Sequence, residues 1–399
     1  MNRNKETLCP VCHSTDYRTV IDIPQIPVHC NRLWPSREEA LGAPRGNLEL
    51  AFCPVCTHLF NRAFDPDLMD YSQGYTNPLE CSPRFKAYIE KQAERLIHDH
   101  RLYGKTIVEI GCGEGYFLRL LCDLGNNRGI GFDPSSGESS SAGSEGEGKV
   151  RIVPDYYSEA HGAYEAAMIC CRHVLEHLPT PGSLLETVRR SLDGRPGCIL
   201  FFEVPNAMYT VKDMGIWDLI YEHCSYFTID SLAYLFQSYG FGVKRLTEEF
   251  EGQFLGIDGV AGTDSPSPAV PPDTVQAEGS DIERYISAFA KNYAAKIVDM
   301  ETLLERNTPH SHRTVIWGAG SKGVTFSNLY NLKDDIPYIV DINEQKQGMY
   351  VPGTGQRVVG PAFLQEFRPE TVLVMNPAYL QEIQGICHDL SVSPELIAV

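Results

Sequence analysis

The chain has 399 residues, a hydrophobic fraction of 43% and a formal net charge of −18. Its length suits two or three domains of roughly 100 to 200 residues each, and so acidic a surface repels polyanions, which argues against nucleic acid and for a small-molecule substrate. The opening MNRNKETLCP has no apolar signal core, and no run approaches the roughly 18 to 20 apolar residues of a membrane span, so the expectation is a soluble, cytoplasmic protein without a membrane partner. The sequence leaves the oligomeric state open.

Two pairs stand out among the thirteen cysteines. Cys9 and Cys12 form one CPVC, Cys53 and Cys56 a second, with a polar, proline-bearing stretch between them. Each C-x-x-C turn sets two thiolates on one side of a knuckle, and two knuckles supply the four tetrahedral sulfurs of a structural Zn²⁺ site. Disulfides are disfavoured in a cytoplasmic chain, and a redox motif is not expected twice. His29 and Cys30 lie between the knuckles as alternative ligands. A closed four-sulfur site has no open position for catalysis, so its expected task is folding residues 1–80.

A helix is predicted next, with Phe85, Tyr88, Ile89, Ala93 and Leu96 at helical spacing. From Lys105 the chain alternates strand-like and helix-like runs, KTIVEIG, GYFLRLLCDLG, RGIGFDPS, VRIVPDY, AAMICCRHVLEHL, SLLETVRRSL and CILFFEVPN. Such alternation implies a parallel sheet covered on both faces, here over 81–260. SSGESSSAGSEGEGK inside it is too poor in apolar residues to pack and reads as a surface loop. A Pro/Ser/acid-rich linker and a long helix follow over 261–309, and TVIWGAGSKGVTFSNLY, IPYIVDINEQKQG and TVLVMNP form a smaller Rossmann-like unit over 310–399.

The strongest chemical motif is VEIGCGEGYF. Glu109 ends a strand; Gly111, Gly113 and Gly115 let bare backbone approach a ligand; Tyr116 and Phe117 open the next helix. Asp133 ends the following strand, where a carboxylate can accept from both hydroxyls of a ribose. A lone G-x-G-x-G is weak. With these two acids it resembles the class I S-adenosylmethionine (SAM)-dependent methyltransferases, and the spacing disfavours the G-x-G-x-x-G of NAD sites. CRHVLEHL is similar to the segment that lies along the cofactor in those enzymes. That likeness implies SAM contacts for His173, at the carboxyl edge of a strand, and Asp155 is placed to bond the adenine amine. His177 reads as a helix-surface residue.

Two CPVC knuckles, the Y-x-x-x-Y of Tyr71 to Tyr75, the SAM core, YEHCSYF at 221–227, GAGSKG and VDINEQKQGMYVPGTG occur in one order along nearly the whole chain. In that order they resemble the zinc-containing NDP-sugar C-methyltransferases, in particular the C-3′-methyltransferases of deoxysugar and nitrosugar biosynthesis. The resemblance implies an α/β protein with an N-terminal zinc-binding segment, a central class I SAM methyltransferase Rossmann-like domain and a smaller C-terminal Rossmann-like domain. It implies methylation of a carbon beside a carbonyl in a nucleotide-linked sugar, with His223 as base, Glu222 orienting it, and Tyr221 and Tyr75 facing the substrate. Histidine suits the task because its unperturbed pKa lies near working pH. Relatives often carry Y-x-E-H, whereas here Tyr221 directly precedes Glu222, which puts that tyrosine's role in question. Tyr226 and Phe227 read as packing. GAGSKG is either a second ligand loop, with Lys322 for a diphosphate, or a closing surface. Two other readings stand beside this one: an O- or N-methyltransferase, marked by a heteroatom-methylated product, and a zinc-containing scaffold with a vestigial SAM site, marked by failure to bind SAM.

Overall fold

β-branched and aromatic runs bounded by turn residues become strands, and three sheets result. The computed structural model describes residues 7–69, 81–136, 149–192, 195–262, 279–307 and 313–399. The chain enters through β1 (Arg18–Pro27), α1 (Arg37–Leu41), β2 (Arg45–Phe52) and β3 (Leu59–Asn61). It continues through α2 (Pro83–His100), β4 (Thr106–Ile110), α3 (Tyr116–Gly125), β5 (Arg128–Phe132), β6 (Val150–Val153), β7 (Met168–Arg172), α4 (Pro181–Ser191) and β8 (Ile199–Pro205). Then come α5 (Ala207–Val211), β9 (Ser225–Tyr226), α6 (Ile229–Ser238), β10 (Phe241–Glu249) and β11 (Phe254–Ala261). After α7 (Gly279–Asn307) follow β12 (Thr314–Trp317), α8 (Ser321–Leu329), β13 (Tyr338–Val340), β14 (Arg357–Val359), α9 (Leu364–Phe367), β15 (Thr371–Val374), α10 (Leu380–Asp389) and β16 (Glu395–Ala398).

The central sheet has seven strands in the order β10-β11-β8-β7-β4-β5-β6. β4 to β8 are parallel, while β11 runs antiparallel to β8 and β10 antiparallel to β11. Parallel strands need helices on both faces, which is why β8, reading ILFFEVP, is buried along nearly its whole length. β4 is flanked by β5 on one side and β7 on the other, so the turns after β4 and β7 part at this point and leave a crevice at the carboxyl edge. α2 covers the sheet with the stripe expected of it: Phe85, Ile89, Ala93 and Leu96 are buried, and Ser82 caps its first turn. HVLEHL, read as helical, is only a 3-10 turn at Leu175–His177.

A five-stranded, all-parallel sheet, β14-β13-β12-β15-β16, forms the C-terminal unit. The N-terminal sheet is antiparallel and ordered β1-β2-β3-β9. Its fourth strand comes from residues 225–226, so the N-terminal unit reaches past the boundary expected at residue 80. Main-chain pairing of Trp34 with Tyr350, and Arg45 donating to Asn328 and to the Gly353 carbonyl, tie the first unit to the third. No helix among the described residues is long and apolar enough to cross a membrane.

Candidate active site and four-cysteine centre

The knuckles close on each other. One Sγ each from Cys9, Cys12, Cys53 and Cys56 lie within 4.8 Å of one another, with Cys9–Cys56 at 3.6 Å and Cys12–Cys53 at 3.5 Å. None of the four is in a disulfide. A tetrahedron with metal–sulfur bonds of about 2.3 Å has edges of roughly 3.8 Å, so the donor set fits Zn²⁺ closely. His29 and Cys30 lie outside this cluster.

A cleft of about 690 Å³ runs from the turn after β4 to the turn after β12. At its first end Gly111, Gly113 and Gly115 have φ of 69°, 53° and 77°, a left-handed backbone that favours glycine. A Cβ at Gly111 would fall 2.2 Å from Val174 Cγ2, whereas one at Gly113 would meet nothing within 4 Å. α3 then begins with no side-chain cap, leaving its first N–H groups for a ligand. Asp133 braces the turn: Oδ2 accepts the Gly113 N–H at 2.7 Å, and Oδ1 accepts the Ser135 N–H at 2.8 Å and its hydroxyl at 2.6 Å. A carboxylate has about four acceptor sites, so little more than one remains for a ribose hydroxyl. Glu109 is buried with Oε2 unpartnered, and burial pushes its carboxyl up to about 8. That orphaned oxygen fits a group bearing an ammonium. Tyr116, Phe117 and Asp155 also line the cleft, Asp155 lying two residues beyond β6 rather than ending it.

Beside the cofactor turn, β7 and β8 carry a charged network. Glu203 is fully buried; burial works against its charge, but Arg172 at 2.8 Å, His173 and the Tyr88 hydroxyl hold it well below the usual carboxylate range. His173 has φ 54°, its ring 4.7 Å from Phe254, with Nε2 3.0 Å from Glu203 in a contact too bent for a good hydrogen bond and Nδ1 3.7 Å from Glu176. Burial opposes its protonation, yet Glu176 and Glu203 outweigh it and raise the imidazole to about 9. The sequence placed His173 at the cleft but not this network. Its signal was two adjacent strand ends reading CRH and FEV.

His223 lines the cleft, partly accessible, with Nδ1 unpartnered. Burial, reinforced by the charges of His177, His173 and Lys322, lowers its pKa well below 6.5, so it is a neutral imidazole able to take a proton. His177, expected on a helix surface, instead packs against it with ring centroids 5.0 Å apart and donates Nδ1–H to the Glu222 carbonyl at 2.9 Å. The short 3-10 turn aims it inward.

Glu222 and Tyr221 are not brought to the cleft. The Glu222 carboxylate is fully buried against Asn31, itself a cleft-lining residue, accepting from it at 3.3 Å with His29 at 3.8 Å, and it does not pair with the His223 ring. Tyr221 lies under Gly46, where a Cβ would fall 2.2 Å from its ring, and its hydroxyl accepts the Asp65 N–H at 2.8 Å. The expectation that Tyr221 faces substrate is therefore corrected: without a spacer before Glu222, its side chain points into the N-terminal unit. Tyr226 and Phe227 are core residues, as expected. Tyr75 lies outside the described residues.

At the other end of the cleft, Gly318 follows β12 with φ 114°, and Asp341, just past β13, accepts the Ala319 N–H at 2.8 Å. Lys322 is paired with Asp218, and Lys346 donates to the Ala319 carbonyl at 3.3 Å. Asn343 is buried in the cleft wall with Nδ2 unpartnered.

The strand order, the glycine turn at the switch point and its two acids define a SAM-dependent methyltransferase. Residues 84–246 match the family described as methyltransferase domain, and 273–391 match the C-methyltransferase C-terminal domain. The chain is 24% identical to the C-methyltransferase NovU of Streptomyces niveus over 94% of its own length and 90% of that protein's. It is therefore a SAM-dependent methyltransferase, and the second domain match and the likeness along nearly the whole chain support C-methylation. A shorter likeness, 30% identity over 27% of this chain and 47% of the relative, is to the ubiquinone biosynthesis O-methyltransferase of Paraburkholderia phytofirmans. Among solved structures, the 1,6-didemethyltoxoflavin-N1-methyltransferase of Burkholderia thailandensis aligns over 52% of this chain and 96% of its own, at 16% identity and a TM-score of 0.36.

Proposed function

We propose that the enzyme methylates a carbon beside a carbonyl in a nucleotide-linked keto-deoxysugar, with His223 as the base. The observation that carries this is the His223 ring on the cleft wall, partly accessible and kept neutral by burial. Carbon has no lone pair to offer a methyl donor, so a proton must leave it before attack. His223 takes that proton, and cationic His173 on the same wall faces the charge that develops on the carbonyl oxygen. When bound, SAM supplies an electrophilic methyl group. Glu109, the backbone of 111–115, Asp133 and Asp155 would hold it, with Tyr116, Phe117 and His173 alongside. Asp133 acts first as the brace of the turn.

Glu109, Asp133 and Asp155 gather at the end suited to a cationic cofactor. At the other end Lys322 and Lys346, ion-paired with Asp218 and Asp341, stand beside a helix N-terminus, and a diphosphate there would draw on the lysines in competition with those aspartates. For the four-cysteine centre we propose Zn²⁺ in a structural role. The test is turnover of a keto-sugar nucleotide in deuterated water. Wild type should exchange the proton beside the carbonyl and place the methyl on that carbon. Exchange and turnover undiminished in His223→Ala overturn the base, and a heteroatom-methylated product overturns the reaction type.

A further inference from the structure

The stretch 221–228 belongs to the methyltransferase unit by sequence, and besides its bonds to that unit, from His177 to the Glu222 carbonyl and from the Ala207 N–H to the Phe227 carbonyl, it is bonded along its length to the cysteine unit. The Tyr221 hydroxyl accepts from Asp65 at 2.8 Å, the Glu222 carboxylate from Asn31 at 3.3 Å, and the Cys224 carbonyl from the Asn61 N–H at 3.0 Å. Ser225 and Tyr226 pair with Phe60 and Leu59 as β9 against β3. Thr228, the cap of α6, shares a 2.7 Å hydrogen bond with Thr57, the residue directly after the second CPVC. Between these anchors His223 turns its ring to the cleft.

Thr57 carries a second mark. Its φ is 61°, a left-handed backbone that a β-branched side chain rarely adopts and glycine adopts freely. The matching residue of the first knuckle, His13, has nearly the same φ, 60°, and an exposed side chain. The same φ at both knuckles, with the His13 side chain exposed, marks the knuckle turn itself as its source, so a β-branched residue at the second needs a further reason. The structure supplies one: the Thr57 hydroxyl reaches Thr228, which also caps α6 by accepting the Ser231 N–H at 3.1 Å.

We propose that Thr57 is a positioning residue for His223: the second cysteine knuckle, through the Thr57–Thr228 hydrogen bond and the β3–β9 pairing, sets where the base stands in the cleft. This rests on the reading of His223 as the base. The four-sulfur centre then does more than fold its own segment, because the turn it shapes holds one end of the loop that bears the base. The cofactor turn at 111–115 belongs to the central sheet, so cofactor binding and base placement are separable.

The test compares Thr57→Gly and Thr57→Ser in the full-length, zinc-loaded enzyme, with His223→Ala as reference. Glycine relieves the strained backbone and removes the tether; serine keeps the hydroxyl. Thr57→Gly should keep its zinc content, a Tm no lower than wild type and unchanged SAM affinity by calorimetry. Its kcat should fall about tenfold with KM nearly constant, since misplacing a reacting group by the order of 1 Å costs roughly 10²-fold. Thr57→Ser should restore most of that loss. Wild-type kcat in Thr57→Gly overturns the positioning role, as does loss of zinc and Tm together with kcat that serine does not rescue. Full turnover in His223→Ala is the separate signature of a wrong base.

Discussion

The turns at 111–115 and 318–323 are built alike and charged differently. In each, a parallel strand runs into a glycine of positive φ, a helix follows, and an aspartate after the next strand accepts a backbone N–H, Asp133 from Gly113 at 2.7 Å and Asp341 from Ala319 at 2.8 Å. Around the first stand further acids and a buried carboxyl with one oxygen unpartnered; at the second, Lys322 is ion-paired with Asp218 and Lys346 with Asp341, Lys346 also donating to the Ala319 carbonyl. Backbone shape makes a turn able to approach a ligand. Side-chain charge decides which ligand is welcome.

The comparison breaks most visibly in the space between the turns. Removing the proposed base by His223→Ala should lower kcat by about 10²- to 10⁴-fold, the usual worth of general base catalysis, with SAM affinity by calorimetry unchanged. In wild type the acid limb of the kcat profile should fall below 6.5, because the depressed imidazole stays neutral there. At the lysine end, Lys322→Gln should raise KM for a sugar nucleotide roughly 10- to 100-fold while leaving SAM binding alone, since hydrogen bonds to charged groups contribute about 1.5–3 kcal/mol. An unchanged KM would make that turn a closing surface only.

At the acidic end, Glu109→Gln should weaken SAM about tenfold, on the scale of one charged hydrogen bond. The wild-type carboxyl is protonated below about 8 and must ionise to meet an ammonium, so SAM should bind more tightly as pH rises through that value, and the variant should lose the dependence. His173 works in the opposite sense. Its folded value, raised from 6.5 to about 9, contributes stability that is complete below 6.5 and lost as pH rises through about 9, so Tm should fall over that window and His173→Gln should flatten the fall. The smallest effect is expected of Tyr221→Phe. It loses the hydrogen bond to Asp65, about 1 kcal/mol of stability by thermal melting, with kcat within about twofold of wild type. A large loss of kcat would restore Tyr221 to the chemistry.

Much of the fold was legible because it rests on local pattern. The α2 stripe, the alternation from Lys105 and the two glycine turns each follow from side-chain period and backbone freedom within a few residues. The cysteine quartet was legible because thiolate pairs at this spacing have few other uses in a reduced chain. Roles at YEHCSYF were less so. Residues 221–224 form a turn ahead of β9 and not a regular element, so no side-chain period tells which of them faces the cleft; packing sends Tyr221 and Glu222 toward the N-terminal unit and His223 to the cleft. His177 looked like helix surface because HVLEHL has a helical period, yet only one 3-10 turn forms and its ring is turned inward. The motif ending in VPGTG proved partly architectural: Lys346 and Gln347 bond the Ala319 and Asp341 carbonyls, and the Gly353 N–H reaches Ala40.

By itself, then, the sequence determined most element types, the glycine turns with the aspartates that follow them and the four sulfurs, since each depends on residue chemistry over short spans. Only the tertiary structure decided that the loop bearing His223 completes the cysteine unit's sheet, that Glu203, Arg172 and His173 form one buried charge network, and that Tyr221 serves the N-terminal unit. Those outcomes join residues far apart along the chain, and burial and pairing, which set charge and aim, exist only once the three sheets have met.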